Sequence, residues 1–342
     1  WFNEGNAVGT GPYTLQRVTQ GEEVVLAKFD DYWKGWKDNQ YDRVIIKKVV
    51  ESTSSRQLVE KGEAQITSNL STTDINALKE NPDVDIIEAP SWKNVMGFFN
   101  IEKPPLDNVD FRRALSYAFP YQEVVKNVRE NQSIQSFGLI PVGLWGHDDK
   151  LHQYDFDLDK AQEYLDKSGV KTGGLKLELT FTSGNEGHRN AVQLYQVNLK
   201  KLGIDLDIRE MNWDNVWEKS KSKDPKDRQD ILVMYWWPDF PSPISWLQSL
   251  IHSEEQIQFN LSYINDPDLD KMIEEGDKLS ATDRDKAEEL FGKVQEEIID
   301  KAYQLFMYDD KTVWATSKNF KGFESNPSYE GVVFFYDTYH EE

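Results

Sequence analysis

Tyr235, Trp236, Trp237 and Asp239 stand close together in the run Tyr235-Trp236-Trp237-Pro238-Asp239-Phe240-Pro241-Ser242-Pro243. A carboxylate beside indole rings can hold an ammonium group through a charge-assisted hydrogen bond, while the rings cover an apolar or ring-bearing part of the same ligand. Pro238, Pro241 and Pro243 fix φ and remove backbone donors, so the loop stands clear of any strand ladder. The apolar run Ile231-Leu232-Val233-Met234 before it reads as a buried strand. Open α/β sheets bind ligands just beyond the carboxyl ends of such strands. Neighbouring residues on a strand point to opposite faces, so at most one of Trp236 and Trp237 is expected to face a ligand. Phe99, Asn100, Trp145, Trp213, Trp246 and Tyr263 are further candidates for the wall of a binding cleft, and packing inside a lobe is the competing role for each.

Other chemistries find little support. The chain has no cysteine, which excludes disulfides, thiolate metal sites and cysteine nucleophiles. Its five histidines lack metal-ligand spacing, and no Gly-x-Ser-x-Gly element occurs. Asp155, Asp157 and Asp159 mimic the start of a calcium loop, but Lys160 stands where the loop needs glycine. The series reads instead as a helix N-terminus with acids at the positive end of the dipole. No catalytic residue, cofactor or metal is expected. With 39 basic against 60 acidic residues the formal charge is −21, which argues against nucleic acid or an anionic membrane surface as partner.

The elements that must position the aromatic loop follow from periodicity. Strands are expected at 14–18, 23–29, 41–50, 64–67, 84–88 and 94–100, with short helices at 52–61 and 73–79. Asn108 caps a helix with Phe111, Leu115, Ala118 and Phe119 on one face, Pro120 ends it, and a loop region follows. A helix over 159–168 stops at Gly169. Alternating Leu175, Leu177, Leu179 and Phe181, a helix over 186–202 and alternating Ile204, Leu206 and Ile208 make a βαβ unit with parallel strands. A helix over 213–221, a strand over 230–237, helices over 268–279 and 282–299 and a strand over 302–308 come next. Strand-like 312–315 and 332–336 close the pattern. The fold class is α/β.

Several landmarks occur in order: Gly9-Thr10-Gly11-Pro12-Tyr13, Tyr32-Trp33-Lys34-Gly35, Phe98-Phe99-Asn100 with Pro104-Pro105-Leu106, Phe111-Arg112-Arg113-Ala114-Leu115, the aromatic loop, and Tyr263, Asn265, Pro267 and Asp270. Together they make the chain similar to the family 5 extracellular solute-binding proteins, the dipeptide, oligopeptide and nickel receptors of bacterial ABC importers. The resemblance implies a two-lobed, periplasmic-binding-protein-like (class II) fold. Lobe I would comprise 1–99 and a return segment 306–342, and lobe II 100–305. Relatives carry a long portion ahead of the Gly-Thr-Gly-Pro-Tyr turn, so the N-terminal part of lobe I is expected to be missing.

By the same resemblance the protein is a non-enzymatic receptor, monomeric and extracytoplasmic, either periplasmic or membrane-anchored. It would capture a small solute between hinged lobes and deliver it to an ABC permease. In peptide-binding relatives the acid at the Asp239 position meets the ligand's α-ammonium group. This chain has no arginine within 231–237 to meet a ligand carboxylate, Arg228 lies before the strand, and Ser242 replaces a second acid. The indole rings suit an oligosaccharide as an alternative ligand, and a glycosidase with paired carboxylates in an aromatic cleft is the enzymatic alternative.

Overall fold

The computed structural model describes residue 1 and residues 6–68 and 70–341. The chain divides into two compact units: Trp1–Ala89 with Thr312–Glu342, and Pro90–Lys311.

In the first unit, β1 (Tyr13–Thr19), β2 (Glu23–Lys28) and β3 (Arg43–Lys47) form an antiparallel sheet in that order. Val25 and Val44 are the only buried apolar residues of these strands. Next come α1 (Ser52–Glu60), β4 (Ile66–Thr67) and α2 (Thr72–Lys79). Asp74 ties the two helices together: its carboxylate accepts from the Ser52 and Ser71 hydroxyls and pairs with Arg56 at 2.9 Å. Those partners lower its pKa, the Ser52 hydroxyl foremost. Val59, Leu78, Val84 and Ala315 make a small core.

β5 (Val84–Phe99) runs from the first unit into the second. The sequence suggested two strands here, because Pro90 and Ser91 interrupt the apolar pattern. One continuous strand forms, since proline loses a single donor yet keeps an extended conformation. In the second unit α3 (Val109–Tyr117) begins at Asn108, whose side chain accepts from the Asp110 and Phe111 amides. Pro120 does not open a loop, as expected, but α4 (Tyr121–Glu123), which runs into a π-helical turn, Val124–Val128. β6 (Ser133–Ile134) and α5 (Leu158–Ser168) follow. Asp157 caps α5 by accepting from the Lys160 amide, and Gly169 ends it at φ 68°, so the acidic series is a helix start.

β7 (Lys176–Thr182), α6 (Glu186–Lys201) and β8 (Asp205–Met211) form the βαβ unit with parallel strands. After them come α7 (Trp213–Ser220), β9 (Ile231–Trp236), α8 (Ile244–Leu250), α9 (Pro267–Ser280), α10 (Arg284–Asp300), β10 (Gln304–Ser317), β11 (Phe320–Lys321) and β12 (Tyr339–His340). α8 lies in a stretch for which the sequence reading gave no element. β10 is one strand where two were expected, and it passes from the second unit into the first. The strand expected at 332–336 is absent: a 3-10 turn, Phe335–Asp337, lies there. The unit boundaries fall inside β5 and β10, whereas the sequence suggested crossings near Asn100 and Leu305. A long regular strand carries no compositional mark of where it changes unit.

The large sheet has the order β4-β10-β5-β9-β7-β8, with β6 on β10. β9 is parallel to β7 and antiparallel to β5. The carboxyl ends of β7, β8 and β9 therefore share one edge, and Ile231, Leu232, Val233 and Met234 are buried as a central strand requires. This is the mixed α/β fold the sequence called for. Among the described residues no helix is long and apolar enough to cross a membrane.

Candidate functional site

β9 ends in Tyr235 and Trp236, and the pleat separates them. Trp236 is buried and donates its indole N–H to the Ser245 carbonyl at 3.1 Å. Tyr235 and Trp237 emerge on the other side, 36% and 53% exposed. Their rings stack with centroids 5.3 Å apart and planes 27° from parallel. The alternation expected of the two tryptophans is thus observed, with Trp237 outward.

The loop beyond is braced from below. The Asp239 amide donates to the Ser245 hydroxyl at 2.9 Å, and Trp145 donates its indole N–H to the Pro241 carbonyl at 3.2 Å. Arg284 lies over the Trp145 ring at 4.2 Å. Asp239 itself is exposed, and among the described residues its carboxylate pairs with no cation. A carboxylate held on a stiff loop without an internal partner is open to an external cation.

Lys93 and His188 reach the Tyr235 ring from two other elements, and Asp310 links Arg129 to Lys93. The β5 register sets Asn94 opposite Trp236, which brings Lys93 alongside. The Lys93 ammonium lies 5.5 Å from the Tyr235 ring centroid and 3.1 Å from an Asp310 carboxylate oxygen. Arg129 closes the π-helical turn and donates to the other Asp310 oxygen at 2.8 Å, with its guanidinium 5.4 Å from the Tyr308 ring. Two cations thus share one carboxylate, and both keep about a quarter of their side-chain surface exposed. His188, in the first turn of α6, lies 6.2 Å from the Tyr235 ring. Burial lowers its pKa to about 4, and the cations Arg129 and Lys93 push the same way. It is neutral at pH 7.

Behind Asp310, Asp309 points the opposite way. It is fully buried and accepts from the Ser136 hydroxyl. Burial pushes its pKa up to about 7, and Asp310 adds to the shift.

The remaining residues singled out from the sequence separate into two groups. Phe99 and Asn100 are buried at the amino end of β9, beside Ile231, because β5 runs antiparallel to it. The Asn100 side-chain Nδ2 donates to the Pro225 and Gln229 carbonyls. Both stand at the far end of β9 from Asp239, and neither can line a site there. Trp246 is wholly buried and donates to the Asn94 side chain at 3.0 Å. Tyr263 is buried under Arg228, at 4.0 Å, with its hydroxyl on the Ser220 carbonyl. Side chains with so little accessible surface are packing residues. Trp213 is 40% exposed at the start of α7 and stacks on Trp217, which leads through Phe259 to Trp236. Trp237, Asp239, Trp145 and Trp213 therefore remain at the carboxyl edge. Lys93, Arg129, His188 and Asp310 were missed, since each is an ordinary polar residue that only strand register and a chain reversal bring together. The sole signal was Lys93 directly before the strand-like run from Asn94.

An α/β unit thus presents an exposed acid and stacked rings beyond its parallel strands, with two cations close by, and the class of protein it belongs to is that of solute-binding proteins. Residues 1–258 match the family described as bacterial extracellular solute-binding proteins, family 5 Middle, and the chain belongs to that family. It is 30% identical over 334 residues to the probable D,D-dipeptide-binding periplasmic protein DdpA of Escherichia coli (strain K12), covering 97% of this chain and 62% of that protein. It is 27% identical over 353 residues to the oligopeptide-binding protein OppA of Bacillus subtilis (strain 168), covering 97% and 61%. The solved structure of HbpA2 from Haemophilus parasuis has the same fold, with a TM-score of 0.84 at 20% identity, over 97% of this chain and 64% of that one. The chain spans about three fifths of the length of the curated relatives it matches.

Proposed function

We propose that this chain is the ligand-holding part of a receptor for short peptides, which works outside the cytoplasm and hands its solute to an ABC permease after two hinged lobes close on it. The peptide's α-ammonium group would sit on Asp239, its carboxylate against Lys93 and Arg129, and a side chain over the Tyr235–Trp237 stack. The observation that carries this reading is an exposed acid two residues beyond Trp237, together with Lys93 beside the Tyr235 ring on which Trp237 stacks and Arg129 on the carboxylate that Lys93 also meets. A zwitterion needs opposite charges held apart on a rigid frame, and charge-assisted bonds in a shielded site supply the strength. The curated relatives named above are described as peptide-binding, which supports the same class of ligand.

No bond is made or broken in this scheme: the ligand is held and released. Titrating the intact receptor with a library of di- to pentapeptides, and with the same library N-acetylated, tests it. Asp239→Asn should weaken free-amine peptides about 10- to 100-fold, the worth of a hydrogen bond between charged groups, and leave acetylated ones unchanged. An unchanged affinity for free-amine peptides in this variant, or preferential binding of oligosaccharides, would overturn the assignment. Turnover of a chromogenic glycoside would overturn it in favour of an enzyme.

A further inference from the structure

Gly187 is the second residue of α6, a helix of 16 residues. Its backbone is not in the left-handed region, so nothing in its own conformation calls for glycine. Alanine is the better helix former at such a position, since glycine loses more conformational freedom on folding. The space around it explains the choice. A Cβ built on Gly187 would stand 2.9 Å from Nη1 of Arg129 and 3.7 Å from its Cδ. The guanidinium of Arg129 thus rests directly on the first turn of α6, in the place a side chain would fill. From that seat it reaches Asp310 at 2.8 Å and the Tyr308 ring at 5.4 Å.

We propose that Gly187 is a specificity-determining positioning residue: by having no side chain it seats Arg129 where the guanidinium can meet the carboxylate end of a peptide. This rests on the carboxylate reading given above. A methyl group at 187 meets the far end of a long, flexible side chain. The fold can yield there cheaply, and what yields is the position of the guanidinium. Stability and recognition are therefore expected to move in opposite directions. Gly187→Ala should raise the melting temperature through helix propensity. It should also lower affinity for peptides with a free C-terminus by about tenfold, the scale of one displaced charge-assisted hydrogen bond.

The test uses the intact receptor and two libraries of di- to pentapeptides, one with free and one with amidated C-termini. Wild type should prefer the free acids. Gly187→Ala should lose most of that preference, keep its affinity for the amides and melt at a higher temperature. Because the glycine acts through Arg129, adding Gly187→Ala to Arg129→Gln should change neither affinity further. An alanine variant that keeps the free-acid preference overturns the proposal. So does a loss that persists undiminished in the Arg129→Gln background. If wild type itself binds acids and amides equally, the carboxylate reading falls, and the proposal with it. That outcome is recognised before any variant is made.

Discussion

The end of β9 has two sides, and they differ in every physical respect. On one, Trp236 meets Phe259, while Trp246 lies wholly buried with its indole N–H on Asn94. On the other, Tyr235 and Trp237 stack in the open among Lys93, Arg129 and Asp310. β10 repeats the division with two aspartates. Asp309 turns inward to a hydroxyl and keeps its proton toward neutral pH, whereas Asp310 turns to two cations. The same residue types do opposite work because a strand sends neighbours to opposite faces. The dry side holds the exposed side in place.

Mutations should fall cleanly on one side or the other. The largest effect is expected from Trp246→Ala, which opens a cavity and leaves Asn94 Oδ1 without its indole donor. It should lower unfolding free energy by about 3–5 kcal/mol. Peptide affinity measured on the folded fraction should change little, and a large affinity loss without destabilisation would erase the distinction between the two sides.

Asp309→Asn sharpens the comparison through pH. The folded-state pKa of Asp309 is raised from 3.8 to about 7. The stability it contributes is therefore fully present below about 3.8 and is lost as pH rises through about 7. An amide cannot ionise, so the variant should unfold less readily than wild type at pH 8, by about 1–3 kcal/mol, the range for an unfavourably buried polar group. The advantage should vanish near pH 4. His188 has the opposite slope: its depressed pKa favours the fold above 6.5 and is felt as pH falls through about 4. Chemical denaturation of both proteins at pH 4, 6 and 8 reads the difference, in which the His188 contribution cancels.

Trp237→Ala should have the smallest effect on stability, within about 0.5 kcal/mol, because the ring is half exposed. It should nevertheless weaken peptides that carry a large side chain, read by calorimetric titration. A melting temperature that drops as far as in Trp246→Ala would place Trp237 on the dry side.

Much of the architecture was legible in the residues. The alternation of Leu175, Leu177, Leu179 and Phe181 gave β7, Asn108 marked a helix start by its capping chemistry, and the acids Asp155, Asp157 and Asp159 marked another by their charge. The aromatic loop was legible as well, because three prolines after an apolar strand leave few other structures. Periodicity failed where the chain was irregular or long. The π-helical turn that ends in Arg129 has no hydrophobic repeat to announce it, and the left-handed Glu130 and Asn131 after it have no glycine signal. Phe99 and Asn100 looked like site residues because they end a strand. The antiparallel register of β5 against β9 sends them to the wrong end and brings Lys93 instead.

The sequence alone thus determined most of the elements and that no more than one of the two indoles faces outward, since local period, capping and proline geometry act over a few neighbouring residues. The tertiary structure alone decided which cations stand beside them. Lys93, Arg129 and Asp310 come from three distant segments, and only register, a chain reversal and the bare surface of Gly187 bring their charges within reach of one another.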